Sequence, residues 1–180
     1  MRLTGVPGIT TVALSSVRQT THELLTLLGR LRGPDAARDP GLEVAALQAA
    51  ELAYQHDAGL LAVVEHEGAD PAILVAGLIG VDKPMDADTA AELSYHLADA
   101  GGPGIREVTR AQTARGYPVV LAERVQVTGA QLQAVVVDPV RPRIVVFTLH
   151  SPGGRGWLEV AALAGRFVAG VDLSAPARVT

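Results

Sequence analysis

The sequence predicts an α+β fold in which one antiparallel sheet is flanked by helices on both faces, an α/β/α sandwich. Three observations predict it. Runs rich in Val, Ile and Leu follow one another beyond residue 60, separated by Gly, Pro, Asp and Thr at hairpin spacing. Segments of helical period stand at the start, middle and end instead of alternating with every strand, which argues against a doubly wound parallel sheet. The 180 residues are 48% hydrophobic but only 3% aromatic, so one core of Ala, Val, Leu and Ile is expected.

Ile9 to Leu14 is β-branched and ends at Ser15-Ser16, so a strand leads into a helix capped by serine. Leu24, Leu25, Leu27, Leu28 and Leu31 recur at helical spacing from Val17 to Arg32, and Gly33-Pro34 ends the run. Asp39-Pro40 starts a second helix, because Asp caps and Pro sits where no N–H is needed. That helix runs to about Asp57, with Gly59 placed for the left-handed terminus and Leu42, Ala45, Ala46, Ala49, Leu52 and Ala53 on neighbouring turns as a small-residue face for packing on a sheet.

Leu60 to Glu67 and Ala72 to Val81 flank the turn residues Gly68 to Pro71 and form a hairpin. The second run is continuously apolar and is expected mid-sheet with both faces covered. Glu65 and Glu67 fall on one side of the first strand, opposite His66, and read as a solvated strand edge. Asp86 or Asp88 caps a helix through Leu97, ended by Gly101 to Gly104. Strands follow over Arg106 to Gln112, Val119 to Val127, Gln131 to Val137 and Arg143 to His150, with a tight turn at Thr128-Gly129. The last is read as another inner strand, and Ser151 to Gly154 leads from it into a helix from about Gly156 to Ala169. A single domain over residues 1–173 with a disordered tail over 174–180 is the expected organisation.

Charge is nearly balanced, 15 basic against 19 acidic residues, and gives no field for phosphate backbones, so nucleic acid is not an expected partner. Zero cysteines exclude disulfides, thiolate metal sites and cysteine nucleophiles. The opening MRLTGVPGITTVALSS has no apolar core of signal-peptide length, and Ala72 to Val81 is about half a membrane span. A cytoplasmic protein without a membrane partner is the expectation.

The second half resembles the actinobacterial branch of the PsbP-like superfamily. The likeness is carried by Gly116-Tyr117-Pro118-Val119-Val120, by the strand LQAVVVDP (Leu132 to Pro139) and by RIVVFTLHSPGGRGWLEVAALAGRFVAGV (Arg143 to Val171). This superfamily includes plant oxygen-evolving-complex subunits, Ran-binding Mog proteins and LpqN-type mycobacterial lipoproteins. The resemblance implies the same α/β/α sandwich and a docking or assembly role. The chain departs from the pattern in having Val6-Pro7-Gly8-Ile9 where Leu-Pro-x-Gly-Trp is usual, and in lacking the lipoprotein cysteine.

Chemistry-bearing motifs are sparse. His22, His56, His66, His96 and His150 have no i, i+3 or i, i+4 partners among themselves, so no metal site and no cofactor are expected. Neither Ser94 nor Ser151 sits in a Gly-x-Ser-x-Gly elbow. The glycine-rich stretch Ser151 to Gly156 joins a strand to a helix, so Gly153, Gly154 and Arg155 are candidates for receiving an anion, against the plain reading of a turn that folds the helix back. Arg106, Arg110, Arg115, Arg141 and Arg143 are read either as a basic edge or as a solvated rim. Arg143, Arg155 and Trp157 are candidates for docking a protein partner, because an aromatic beside arginines is typical of interface anchors; core burial is the alternative for Trp157. Three functions follow as expectations: a non-enzymatic docking or assembly protein, a small-molecule binder or enzyme with a pocket between sheet and helices near the Ser151 to Trp157 turn, and a homo-oligomer subunit.

Overall fold

A computed structural model describes residues 1–33, 40–100, 104–126 and 129–174. Its elements are β1 (Ile9–Val12), α1 (Val17–Arg32), α2 (Pro40–Gln55), β2 (Leu60–Val64), β3 (Ala72–Gly80), α3 (Ala87–Ala100), β4 (Ile105–Gln112), β5 (Pro118–Gln126), β6 (Gly129–Val137), β7 (Arg143–Ser151) and α4 (Trp157–Ala169). The strands form one seven-stranded sheet in the order β1-β2-β3-β7-β6-β5-β4, antiparallel at every pairing. The α+β class and the antiparallel sheet read from the sequence are therefore present. No helix among the described residues is long and apolar enough to cross a membrane.

The chain builds the sheet from both ends towards the middle. After β3 the α3 segment carries it to the far edge, and the meander β4 to β7 returns to close against β3. Helix starts follow local chemistry. Ser16 accepts from the Gln19 amide, and Asp86, not Asp88, caps α3 by accepting from the Thr89 amide at 2.9 Å and its hydroxyl at 2.8 Å. The Asp39 cap and the Gly101 to Pro103 stop lie outside the described residues, as does the tail over 175–180, whereas Leu173 is buried and Ser174 bonds to Asp172.

Side-chain alternation divides the core in two. On one face, Leu74, Ala76, Ala134, Val136, Val145, Phe147 and Leu149 pack under α4, whose Trp157, Val160, Ala164 and Phe167 are buried. The N-terminal residues Met1, Leu3 and Val6 extend this cover, held by the bridge between Arg2 and Asp172. On the opposite face, α1 and α2 cover Leu61 and Val63, while α3 covers Val120 and Val137. Helices thus lie on both faces, one on the first and three on the second.

Several local expectations are corrected. β2 ends at Val64, so Glu65 and Glu67 are not on a strand; the Glu65 amide instead donates to the Gly8 carbonyl. β2 is also no edge, since β1 pairs outside it and all five of its residues are buried. Asp57, with φ of 47°, takes the left-handed position expected of Gly59. Gly129 belongs to β6 and pairs with Gln126, so it is not a turn residue; residues 127 and 128 lie outside the described residues. β3 is covered only over its first half, for Leu78 and Ile79 are 48% and 49% exposed.

Phe147 sits at the centre of the sheet, 1% exposed, with the Phe167 ring edge-on at 6.4 Å. Phe147→Ala should lower unfolding free energy by about 3–5 kcal/mol in urea denaturation, against less than about 0.5 kcal/mol for the exposed Val140→Ser.

Candidate functional site

The glycine-rich turn from Ser151 to Gly156 lies at one end of the sheet, against the β2–β3 turn. Asp70 enters it: one carboxylate oxygen accepts from Arg155 Nε at 3.1 Å and lies 3.0 Å from the terminal guanidinium nitrogen, while the other accepts from the Arg155 amide at 3.3 Å. The Asp70 amide in turn donates to the Arg155 carbonyl, and the Gly154 amide donates to Ser151 Oγ. The amide and guanidinium of Arg155 proposed for an anion are thus engaged by the chain's own carboxylate. The glycines make the approach close enough. A Cβ on Gly153 would collide with the Asp70 carboxylate, and one on Gly156 (φ 65°) would come within 2.6 Å of the Ala69 backbone Cα.

Trp157 opens α4 beside this clasp but faces inward, 7% exposed, with Nε1 donating to Glu123 on β5. Glu123 is also 3.8 Å from Arg106. Arg143 is at the other end of β7, about 27 Å of strand away from Ser151. Its Nε donates to Asp138 at 2.7 Å, its Nη2 donates to the Leu173 carbonyl, and its side chain is 12% exposed. The structure therefore brings Arg155 and Trp157 together and leaves Arg143 elsewhere, fastening the β6–β7 turn. Arg115 pairs with Asp172 at 3.2 Å, and Arg106 with Glu123, so the arginines are distributed among separate partners. Among the described residues no three His, Asp or Glu side chains gather where a metal could be held.

The Asp138 carboxylate is tied into this turn by three donors, the Val140 and Arg141 amides and Arg143 Nε. Burial by itself would raise its carboxyl, but the Arg143 hydrogen bond, the Val140 and Arg141 amides and the guanidinium charge outweigh it and hold it below the ordinary carboxylate range.

A feature that the sequence did not announce lies on the face opposite α4. The cluster beneath α1 and α2 stops at β3, and the one beneath α3 reaches only Val137 on β6 and Ile144 on β7. Beyond them Val135 on β6 is still buried, 6% exposed, while Val146 opposite it on β7 is only partly buried. On the α4 face of β7, Val145, Phe147 and Leu149 are 0–1% exposed, whereas Ile144, Val146 and Thr148 on the opposite face are only partly buried and His150 is exposed. The floor of this strip is graded. Ile79 opposes Ile144, Gly77 opposes Val146, Gln133 opposes Thr148, and Arg124 and Gln131 form a row with His150. The five polar side chains at that end, Arg124, Gln131, Gln133, Thr148 and His150, have no hydrogen-bond or ion-pair partner among the described residues. Of these, only His150 drew notice in the sequence, as one of five scattered histidines, because Ile144 to Phe147 are consecutive apolar residues and hide which side is covered. Elsewhere, α2 leaves Val44, Leu47, Leu52 and Tyr54 40–53% exposed, so Leu52 is not on the packing face where the sequence put it, whereas Leu42, Ala46 and Ala53 are buried there.

No protein-family model matches the chain, and no curated protein matches it.

Two outcomes are expected at the two ends of β7. Gly156→Ala should cost more than about 1 kcal/mol, because backbone must move and the φ is left-handed, while Gly153→Ala should cost less, since the Asp70 side chain can swing away; urea midpoints compare them. A carboxyl held below its unfolded value stabilises the fold above that value, about 3.9, and the contribution is lost as pH falls through the folded value. The urea midpoint of the wild type should therefore fall more steeply below about pH 4 than that of Asp138→Asn, which should already be weakened at about pH 7.

Proposed function

We propose that this chain is a non-enzymatic docking domain that holds a protein partner on the open surface formed by β7, from Val146 to His150, and the polar end of β6. The observation that carries the reading is the contrast between the two sides of β7: in a seven-stranded sheet its position at the centre calls for cover on both faces, yet Val146 and Thr148 are left partly open. An open, strand-floored surface between two helical layers suits a polypeptide better than a small molecule, which needs enclosure for most of its area. The likeness of the Gly116 to Val120, Leu132 to Pro139 and Arg143 to Val171 segments to the PsbP-like superfamily supports the same role and is part of the proposal. So is a cytoplasmic setting.

The test is a photoreactive residue at position 150. In extract of the native cells it should give a discrete cross-linked adduct that Thr148→Arg abolishes, while a photoreactive residue in place of the exposed Arg18 on α1 gives none. Thr148→Arg should leave unfolding free energy within about 0.5 kcal/mol, since the position is partly exposed. An adduct that forms equally from position 18, or that survives Thr148→Arg, overturns the proposal.

A further inference from the structure

The open surface carries charge of one sign. Arg124 on β5, Gln131 on β6 and His150 on β7 stand directly opposite one another in one cross-strand row. Ile73, the next residue in that row, packs into the cluster beneath α1 and α2, which places the whole row on the face opposite α4. Two strand spacings, about 10 Å, separate Arg124 from His150. Gln133 and Thr148 form the next row on the same face, about 7 Å further along the strands. The buried Val135 closes this polar area on β6, and the partly buried Val146 closes it on β7.

No strand contributes a carboxylate to this face. β1, β2, β3, β6 and β7 contain neither Asp nor Glu. The acids of β4 and β5, Glu107 and Glu123, stand opposite each other, and Glu123 accepts from Trp157 at the start of α4, so both lie on the α4 face. The titratable side chains that the strands leave on the opposite face are Arg110, in the row of Val120, then Arg124 and His150, all basic. Nor do the helices compensate, for Arg124 and His150 have no ion-pair or hydrogen-bond partner among the described residues. A chain of net charge -4 thus gathers only basic groups on this face of its sheet, a local field that draws carboxylates and repels Lys and Arg.

Resting on the docking role above, we infer that the partner presents an acidic segment to this surface, with two carboxylates about 10 Å apart, one at the Arg124 guanidinium and one at the His150 ring. The guanidinium offers a planar fork that a carboxylate meets with two parallel hydrogen bonds. Gln131 between the two basic groups, and Gln133 and Thr148 in the next row, each donate and accept, which suits the peptide groups of the same segment. Val146 gives it a small apolar contact at the inner end. A basic or wholly apolar segment laid on the same floor leaves the Arg124 guanidinium covered and unpaired, which costs more than leaving it in water.

A phage-displayed library of random 16-residue peptides, selected on the full-length wild-type chain, tests this, with the affinity of recovered peptides read by fluorescence anisotropy. They should carry an excess of Asp and Glu over the unselected library. They should bind the double variant Arg124→Gln, His150→Gln about ten-fold more weakly or worse, and likewise Thr148→Trp, which fills the surface without changing its charge. Arg18→Gln, which removes an exposed arginine on α1, should change affinity by less than about two-fold, each variant giving the circular dichroism of the wild type. Peptides that Thr148→Trp displaces but that show no acidic excess, or that bind the Arg124→Gln, His150→Gln variant as tightly as the wild type, overturn the acidic segment while leaving the docking surface in place. Acidic peptides that tolerate Thr148→Trp sit elsewhere on the chain and overturn the inference together with the docking surface on which it rests. A selection that enriches no sequence overturns the inference as well.

Discussion

Eight residue pairs between β3 and β7, from Ile73 with His150 to Gly80 with Arg143, hold the two halves of the sheet together. β1 to β3 come from the first half of the chain and β4 to β7 from the second, so without this pairing each half would expose a long edge and half a core. The pairing is between residues about seventy positions apart, and its register is set by burial: shifting it by one would send Val145, Phe147 and Leu149 to the other face and away from α4.

Both ends of β7 are fastened by carboxylates. At its start Asp138 gathers the Val140 and Arg141 amides and the Arg143 guanidinium, and Arg143 reaches on to the Leu173 carbonyl beyond α4. At its end Asp70 and Arg155 interlock the β2–β3 turn with the turn into α4, and Gly129 on β6 comes so close to the Pro152 carbonyl oxygen that a Cβ there would stand 2.8 Å from it. These contacts fix where α4 begins and how the last residues return to Arg2. They also explain why a motif that looks open in sequence, a serine-glycine-arginine turn before a helix, is filled internally in the fold.

The distribution of cover over the sheet then follows from helix count. On the α4 face one helix is supplemented by the N-terminal segment, and β7 there is sealed from Val145 to Ser151. On the opposite face α1 and α2 pack together over one side while α3, launched from β3 to reach the far edge, lies over the other. What is left between them is β7 from Val146 to His150 and the polar end of β6. The binding surface proposed here is thus a consequence of the same crossover that allows the meander to return to β3.

The hydrophobic periods, the serine and aspartate caps and the turn residues determined the class, the order of elements and most of their bounds, because these depend on neighbours a few residues apart. Short-range chemistry also marked Ser151 to Trp157 as a special segment. What its donors contact was decided by Asp70, which is 85 residues from Arg155 along the chain and adjacent in the fold. The inward turn of Trp157 onto Glu123 and the separation of Arg143 from Arg155 likewise needed the sheet order. Least legible was the open surface over β7 and the polar end of β6. Each strand shows which residues alternate, but which face receives a helix depends on where helices from other parts of the chain come to rest, and only the tertiary structure decides that.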